Sequence, residues 1–463
     1  MATKKVYWNT IAQLAAKFST AFISIFLIKV LTNYLSVADY GLYSKIYNYM
    51  SIFAVIADLG LFTITIREIS NNKENKAIVQ SIIGNIMTIR MTLGILIIFL
   101  SVGIAYFLPG YNSNLALTSI FITGFFVYFG LMNSAILSLL QAYLKTEYSF
   151  VSTTVGKLAN FIFIIIIVFV LYPKAMITGN PDMQFNAFLW IMFAGVFGNI
   201  IMTLMIYKYS IGVEKINFEF HLPQIKSLIK ESIPYGLAMF LNAIFFKVDV
   251  IILSLMESSK NADESIALYS VPGKIVEVGM MFGGLFLQSM LPLFTQAIKH
   301  KNYDEMNGYV KKSYKLLFAF GVAIVGFSLV NGYDILALVV SKDYLDHTKY
   351  IFNSLDAYKI TVFIFLFYFI SSIFTYLLIA AGEQGRLLKI NFYITIVNII
   401  GNIILIPRLS FIGSSISTLI SQIILLVYTY IASRHVFRFN FIPSFTIGTL
   451  LIGGIAAIGN FIV

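Results

Sequence analysis

Thirteen apolar stretches of about 20 to 30 residues fill this 463-residue chain, and that repetition decides what it can fold into. Roughly 20 apolar residues in helical form cross the hydrocarbon core of a bilayer, whereas a spanning strand needs about ten alternating ones. The stretches cover 7–31, 40–64, 79–108, 115–139, 149–172, 187–208, 232–256, 266–297, 313–332, 357–382, 387–407, 410–433 and 441–462. Short polar connections separate them, so successive helices run antiparallel. The chain therefore reads as an all-α integral membrane protein of 12–14 transmembrane helices, 13 of them counted. Charged residues make up only 11% of it, against about 25% in soluble domains. The first stretch is too long for a signal peptide, carries Lys17 and lacks a small-residue cleavage site, so it reads as a retained helix.

The net charge of +11 suggests a nucleic-acid partner until its placement is considered. With the N-terminus in the cytoplasm, 19 basic residues fall in inner loops and five in outer ones: Lys174, Lys260, Lys342, Lys349 and Arg408. That asymmetry is the positive-inside pattern, and it fixes an N-in topology without nucleic acid. Two inner connections look amphipathic. In 222–233, Leu222, Ile225, Leu228, Ile229 and Ile233 share one helical face with Lys226 and Lys230 off it, which reads as an interfacial helix on the anionic inner leaflet. The second, 299–315, is similarly basic.

The halves echo each other. Tyr40-Gly-Leu-Tyr-Ser44 opens the second span and Ile266-Ala-Leu-Tyr-Ser270 the eighth. Leu140-Gln-Ala-Tyr-Leu-Lys145 precedes Asn160, much as Ile379-Ala-Ala-Gly-Glu-Gln384 precedes Asn398. Parallel six-helix repeats that bind cargo between them are a transporter feature. The expected organisation is a six-helix lobe over 1–210, an amphipathic linker over 211–231, a second lobe over 232–434 and an additional helix over 435–463. The two lobes are expected to surround a central cavity.

Eight basic residues fall inside the spans. Lys29, Lys45 and Lys359 lie near an outer boundary, where long side chains snorkel to the interface. Lys17, Arg90, Lys157, Lys247 and Lys274 sit deeper. A basic side chain at the centre of a spanning helix costs about 2.5–3.5 kcal/mol on insertion scales. The intramembrane acids are Asp58, Asp249 and Glu277, so five deep cations face three anions. Either some cations line a wet cavity for an anionic cargo, or they form internal ion pairs that fix packing; the surplus favours the cavity. Polar stripes at helical spacing accompany them: Asn9, Gln13, Lys17, Thr20 and Ser24 in the first span, and Asn391, Thr395, Asn398 and Asn402 in the eleventh. Both read as cavity-lining. Ser81, Asn85, Thr88 and Thr92, and Ser414, Ser417 and Ser421, read instead as helix-to-helix glue. Lys274 and Glu277, three apart, can pair on one face. Lys247 and Asp249, two apart, cannot, so one should bind a neighbouring helix. Asp58 is the best lone acid for proton or sodium coupling, unless it pairs with Lys17.

Catalytic signals are absent. The chain has no cysteine, and His221, His300, His347 and His435 are scattered through loops and span ends without metal-ligand spacing. No phosphate-binding loop or dinucleotide turn occurs. No cofactor or metal is implied.

The stretches Tyr40-Gly-Leu-Tyr-Ser44, Asp58-Leu-Gly-Leu61 and Arg67-Glu-Ile-Ser70 resemble the opening of Wzx-type polysaccharide flippases. So do Ile233-Pro-Tyr-Gly-Leu-Ala238 and Val248-Asp-Val-Ile-Ile-Leu253. That family belongs to the multidrug/oligosaccharidyl-lipid/polysaccharide exporter superfamily, with the MATE drug exporters and the lipid II flippases. The resemblance covers the chain to about residue 434; the extra span beyond it departs from the usual 12 or 14. It implies two lobes around a cationic cavity that opens alternately to each side of a bacterial or archaeal plasma membrane. It also implies an undecaprenyl-diphosphate-linked oligosaccharide as cargo, with membrane lipids, a polysaccharide polymerase and other assembly proteins as partners. Lys17, Arg90, Lys157, Lys247 and Lys274 would then face the diphosphate or acidic sugars, with Gln13, Asn391 and Asn398 on sugar hydroxyls. Asp58, Asp249 and Glu277 would serve ion coupling. A MATE-like ion-coupled drug exporter is the rival among transporters, but cationic drugs want an acidic cavity. A membrane polymerase or glycosyltransferase of the same pathway would show a long outer loop rich in Arg, Asp or Glu, which is not seen.

Overall fold

Helices begin where short polar side chains can cap them. Ser36 Oγ accepts from the Asp39 amide at 3.1 Å to start one helix, and Asn75, Ser113 and Asn180 cap three others in the same way. Asn353 and Asp356 form a reciprocal capping box. Such caps satisfy amides that the first helical turn leaves unbonded. The computed structural model describes residues 2–257 and 261–437. In order, the helices are α1 (Ala2–Tyr34), α2 (Val37–Asp58), α3 (Leu61–Asn71), α4 (Lys76–Phe107), α5 (Asn114–Ala142), α6 (Thr146–Ile166), α7 (Lys174–Ile177) and α8 (Pro181–Ile211). They continue as α9 (Leu222–Met256), α10 (Ala262–Lys299), α11 (Tyr303–Val339), α12 (Ser354–Thr361), α13 (Phe363–Ala380), α14 (Gln384–Leu409) and α15 (Phe411–Val436). No strand occurs among the described residues.

The first twelve expected spans each fall on one of these helices or on a consecutive pair; the thirteenth, 441–462, lies outside the described residues. Among the described residues, ten helical segments are long and apolar enough to cross a membrane. The second span is broken, because Leu59 and Gly60 both take left-handed backbone, with φ 47° and 75°. The break separates α2 from α3 and puts Asp58 on the last helical turn.

The chain divides into two compact units, Met1–Lys247 and Val248–Val463. In the first, α5 packs on α2, α3, α4 and α8, while α6 lies between α1 and α8. Leu61, Ile64, Ile83, Ile86, Ile136 and Leu139 form the heart of its core. The segment expected as linker, 211–231, is part of this unit. Its amphipathic stretch runs without a break into α9, and Ile225 and Leu228 are buried in the same core as Leu61. Of the apolar face expected on the inner leaflet, Ile225 and Leu228 thus pack into the protein core, whereas Leu222 and Ile233 are exposed.

The stretch before α9 is strapped to α4. Ser81 Oγ donates to Glu219 Oε2 at 2.6 Å, Thr88 Oγ1 to the Glu219 carbonyl at 2.7 Å, and the His221 amide to Asn85 Oδ1 at 2.7 Å. Gly84 makes room, since a Cβ there would sit 2.2 Å from the Asn217 carbonyl oxygen. The Ser/Asn/Thr stripe on α4 is glue, as its spacing suggested, although what it holds is an extended strap and not a helix.

In the second unit, α13 packs on α10, α11 and α15, and α14 pairs with α15. Phe369, Phe374 and Leu377 of α13 are wholly enclosed.

Candidate functional site

Each unit holds an intramembrane carboxylate, Asp58 in the first and Asp249 in the second, and the two are settled differently. In the first unit, Asp58 ends α2, where the negative end of the helix dipole disfavours an acid. Arg90 of α4 offsets this: its Nη2 donates to Asp58 Oδ1 at 2.8 Å, and its Nη1 to the Leu131 carbonyl at 3.3 Å. The guanidinium is completely buried, and the Asp58 side chain is 16% exposed. Burying two ions costs several kcal/mol each, and their attraction offsets this only while both are present. Arg90 was expected to face an anionic cargo. Its placement corrects that expectation, because the side chain is sealed in the core and committed to Asp58. Asp58 correspondingly is no lone acid: Arg90 is its partner.

In the second unit, Asp249 of α9 is buried, with 2% of its surface exposed. Tyr269 Oη of α10 and Thr418 Oγ1 of α15 donate to its Oδ2 at 2.7 and 2.5 Å. Asn402 Nδ2 of α14 donates to its Oδ1 at 2.8 Å. No cationic side chain among the described residues lies within ion-pair reach of it. Three donors from three helices stabilise the negative charge without cancelling it. Asn398 and Ser417 extend the cluster, Ser417 Oγ donating to the Asn398 carbonyl at 3.0 Å. Asn398 Nδ2 and Asn402 Oδ1 stay buried with no partner among the described residues. An enclosed carboxylate surrounded by hydroxyl and amide oxygens can accept a proton or a small hard cation such as sodium.

The remaining expected residues are dispersed. Gln13 and Lys17 lie on α1, but their side chains fall outside the described residues. Lys274 Nζ pairs with Glu277 Oε2 at 2.7 Å, as the spacing suggested, with both side chains about half exposed. Lys157 is exposed on α6 and Lys247 is half-buried on α9. Asp249, two residues after Lys247, does bind neighbouring helices. Asn391 is half-buried, whereas Asn398 and Asn402 are fully enclosed. The latter two were expected to line a cavity; instead Asn402 donates to the buried acid, and Asn398 is enclosed beside it. Lys45 was expected to snorkel; it is 2% exposed and donates to the Gly110 carbonyl at 2.7 Å, over the Tyr111 ring.

Tyr269 and Thr418 were not singled out as site residues. Tyr269 was visible as the tyrosine of the internal repeat, and Thr418 directly follows Ser417 in the polar stripe of the twelfth span. Neither signal says that a carboxylate on another helix is the partner.

A sequence model of the family described as "Polysaccharide biosynthesis protein" matches residues 4–298, and a second, described as MatE, matches residues 234–404. No curated protein sequence matches the chain. Among solved structures, an inward-facing multidrug resistance MATE family transporter superposes with a TM-score of 0.73 at 13% identity, covering 92% of this chain and 94% of that one. The lipid II flippase MurJ in an inward closed conformation gives 0.69 at 17% identity over 98% of both chains. A transporter of the same superfamily from Pyrococcus furiosus, whose binding pocket is described as reversed in polarity, gives 0.65 at 12% identity, covering 92% and 95%. At these identities the likeness is one of fold: an all-helical, multi-pass membrane architecture.

Proposed function

The chain belongs to the polysaccharide biosynthesis protein family, and from that membership we propose that it flips a lipid-linked oligosaccharide across the plasma membrane. The cargo is an undecaprenyl-diphosphate carrying a repeat unit, turned from the cytoplasmic to the outer leaflet by alternating access. The family match over 4–298 is the observation that carries the reading. Basic residues retained within apolar helices, Lys157, Lys247 and Lys274, support it, because ammonium groups in a low dielectric attract a diphosphate strongly. Lys17, Gln13 and Asn391 are proposed as further contacts of the cargo, Asn391 with its sugars. Arg90 and Asn398 are left out because both are enclosed.

Coupling is assigned to Asp249. The support is its burial among three donors without a cationic partner in reach among the described residues, whereas Asp58 has Arg90. Glu277 is paired with Lys274 and half exposed, so it is the weaker candidate.

A second reading, ion-coupled export of drug-like cations, draws on the MatE match over 234–404. Both can be assayed in proteoliposomes holding the purified protein. Under the first reading, a fluorescent undecaprenyl-diphosphate oligosaccharide becomes accessible to an external quencher, and combined Lys157→Ala and Lys247→Ala substitutions slow this about tenfold or more, the scale of losing one charge-assisted contact. Ethidium transport without reorientation of the lipid would replace the first reading with the second.

A further inference from the structure

The second unit has a cavity that the coupling acid does not use. It lies where Met256, Glu257 and Asn261 at the facing ends of α9 and α10, the segment before α12 and the α14–α15 turn converge, at the end that the distribution of lysines and arginines places outside the cytoplasm. Its volume is about 610 Å³, within the range of roughly 300–1,000 Å³ typical of small-molecule sites.

The wall is chemically mixed. Glu257 accepts from the Ser410 hydroxyl through Oε1, while its Oε2 is buried with no hydrogen-bond partner among the described residues. Ser410 also meets Ser265 Oγ at 3.2 Å and is held at φ 52°, a left-handed conformation rare for residues other than glycine. Glu264 and Tyr350 line the same wall. Lys349 is engaged by Asp343, whereas Arg408 has no acidic partner among the described residues.

A cationic guest would meet the Arg408 guanidinium in this chamber, and an anionic one would meet two carboxylates. A neutral polyol meets neither penalty. Its hydroxyls donate to Glu257 and Glu264, Arg408 donates to its oxygens, and the rings of Tyr350 and Phe352 offer flat apolar faces to its C–H side. We propose that this outer cavity binds a neutral, hydroxyl-rich pyranose. The inference rests on the reading of the cargo as glycan-bearing and deepens it: the head sugar is held here after it has crossed, before release.

The test uses the full-length protein in nanodiscs and saturation-transfer NMR with methyl glycosides of glucose, galactose and N-acetylglucosamine as probes. The expected result is transfer to at least one glycoside, weakened about tenfold in Glu264→Gln and in Arg408→Ala and unchanged in Lys226→Ala, an exposed position of the first unit. Adding an undecaprenyl-diphosphate oligosaccharide should displace the probe. No transfer in the wild type, or transfer undiminished in both cavity variants, overturns the site. Undiminished transfer in the presence of the lipid-linked sugar overturns its assignment to the cargo. Lipid reorientation is followed in parallel. Flipping without glycoside binding defeats this inference alone, and binding without flipping defeats the proposed function while the site stands.

Discussion

Replacing Arg90 by methionine leaves Asp58 buried at the end of α2 with its ionic partner gone. Breaking such a pair from one side costs about 3–5 kcal/mol, so Arg90→Met should lower the thermal unfolding midpoint in detergent markedly. Removing both charges, with Asp58→Leu added, should restore most of the loss, since a well-packed apolar pair is often as stable as a buried ion pair. A double variant no better than the single one would give the pair a role other than charge balance. Asp249 calls for the opposite behaviour. Asp249→Asn keeps the volume and removes the uncompensated charge, so the fold should persist while ion dependence of transport disappears. Thr418→Val takes away the 2.5 Å donor and should weaken ion affinity about tenfold or more, read as a shift in the ion concentration giving half-maximal transport.

At the scale of elements, the strap between α8 and α9 is held by a stripe on α4 that had a plain sequence signature. Gly84→Val would drive a side chain into the Asn217 carbonyl and lift the strap. Trypsin should then cut at Lys215 faster than in the wild type, in a protein whose helices are otherwise intact. The same contrast marks what the sequence could and could not disclose. Hydropathy located the helices, because a bilayer imposes their length and polarity residue by residue. Helical spacing likewise foretold the Lys274–Glu277 pair, whose partners share one turn. Arg90 with Asp58, and Asp249 with Tyr269, Asn402 and Thr418, are meetings of different helices. No periodicity along one helix states which neighbour it will touch, so Arg90 read as a cargo contact and Asp58 as a free acid. The amphipathic start of α9 makes a related point: its sequence pattern does not tell Ile225 and Leu228, which join the cluster around Leu61, from Leu222 and Ile233, which stay exposed.

For the whole molecule, the two units carry related sequence motifs yet dispose of their buried acids differently. Asp58 is locked by an arginine, and Asp249 is left to be balanced by something that arrives. A transporter that works by alternating access needs a group whose charge state changes once per cycle, and the account places it in the second unit. Close approach elsewhere is equally specific. A Cβ at Gly236 would sit 2.5 Å from the Leu59 backbone carbon, so Gly236→Ala should disturb the α2–α3 break and reduce folded yield, measured as the monodisperse fraction after solubilisation. The most direct measurement is the initial rate at which an undecaprenyl-diphosphate oligosaccharide reorients in proteoliposomes under imposed sodium or proton gradients, for wild type and Asp249→Asn. The account predicts a rate that rises with one of the gradients in the wild type and is indifferent to both in the variant. An Asp249→Asn protein that keeps the full gradient response, or a wild type that does not turn the lipid over at all, would contradict it.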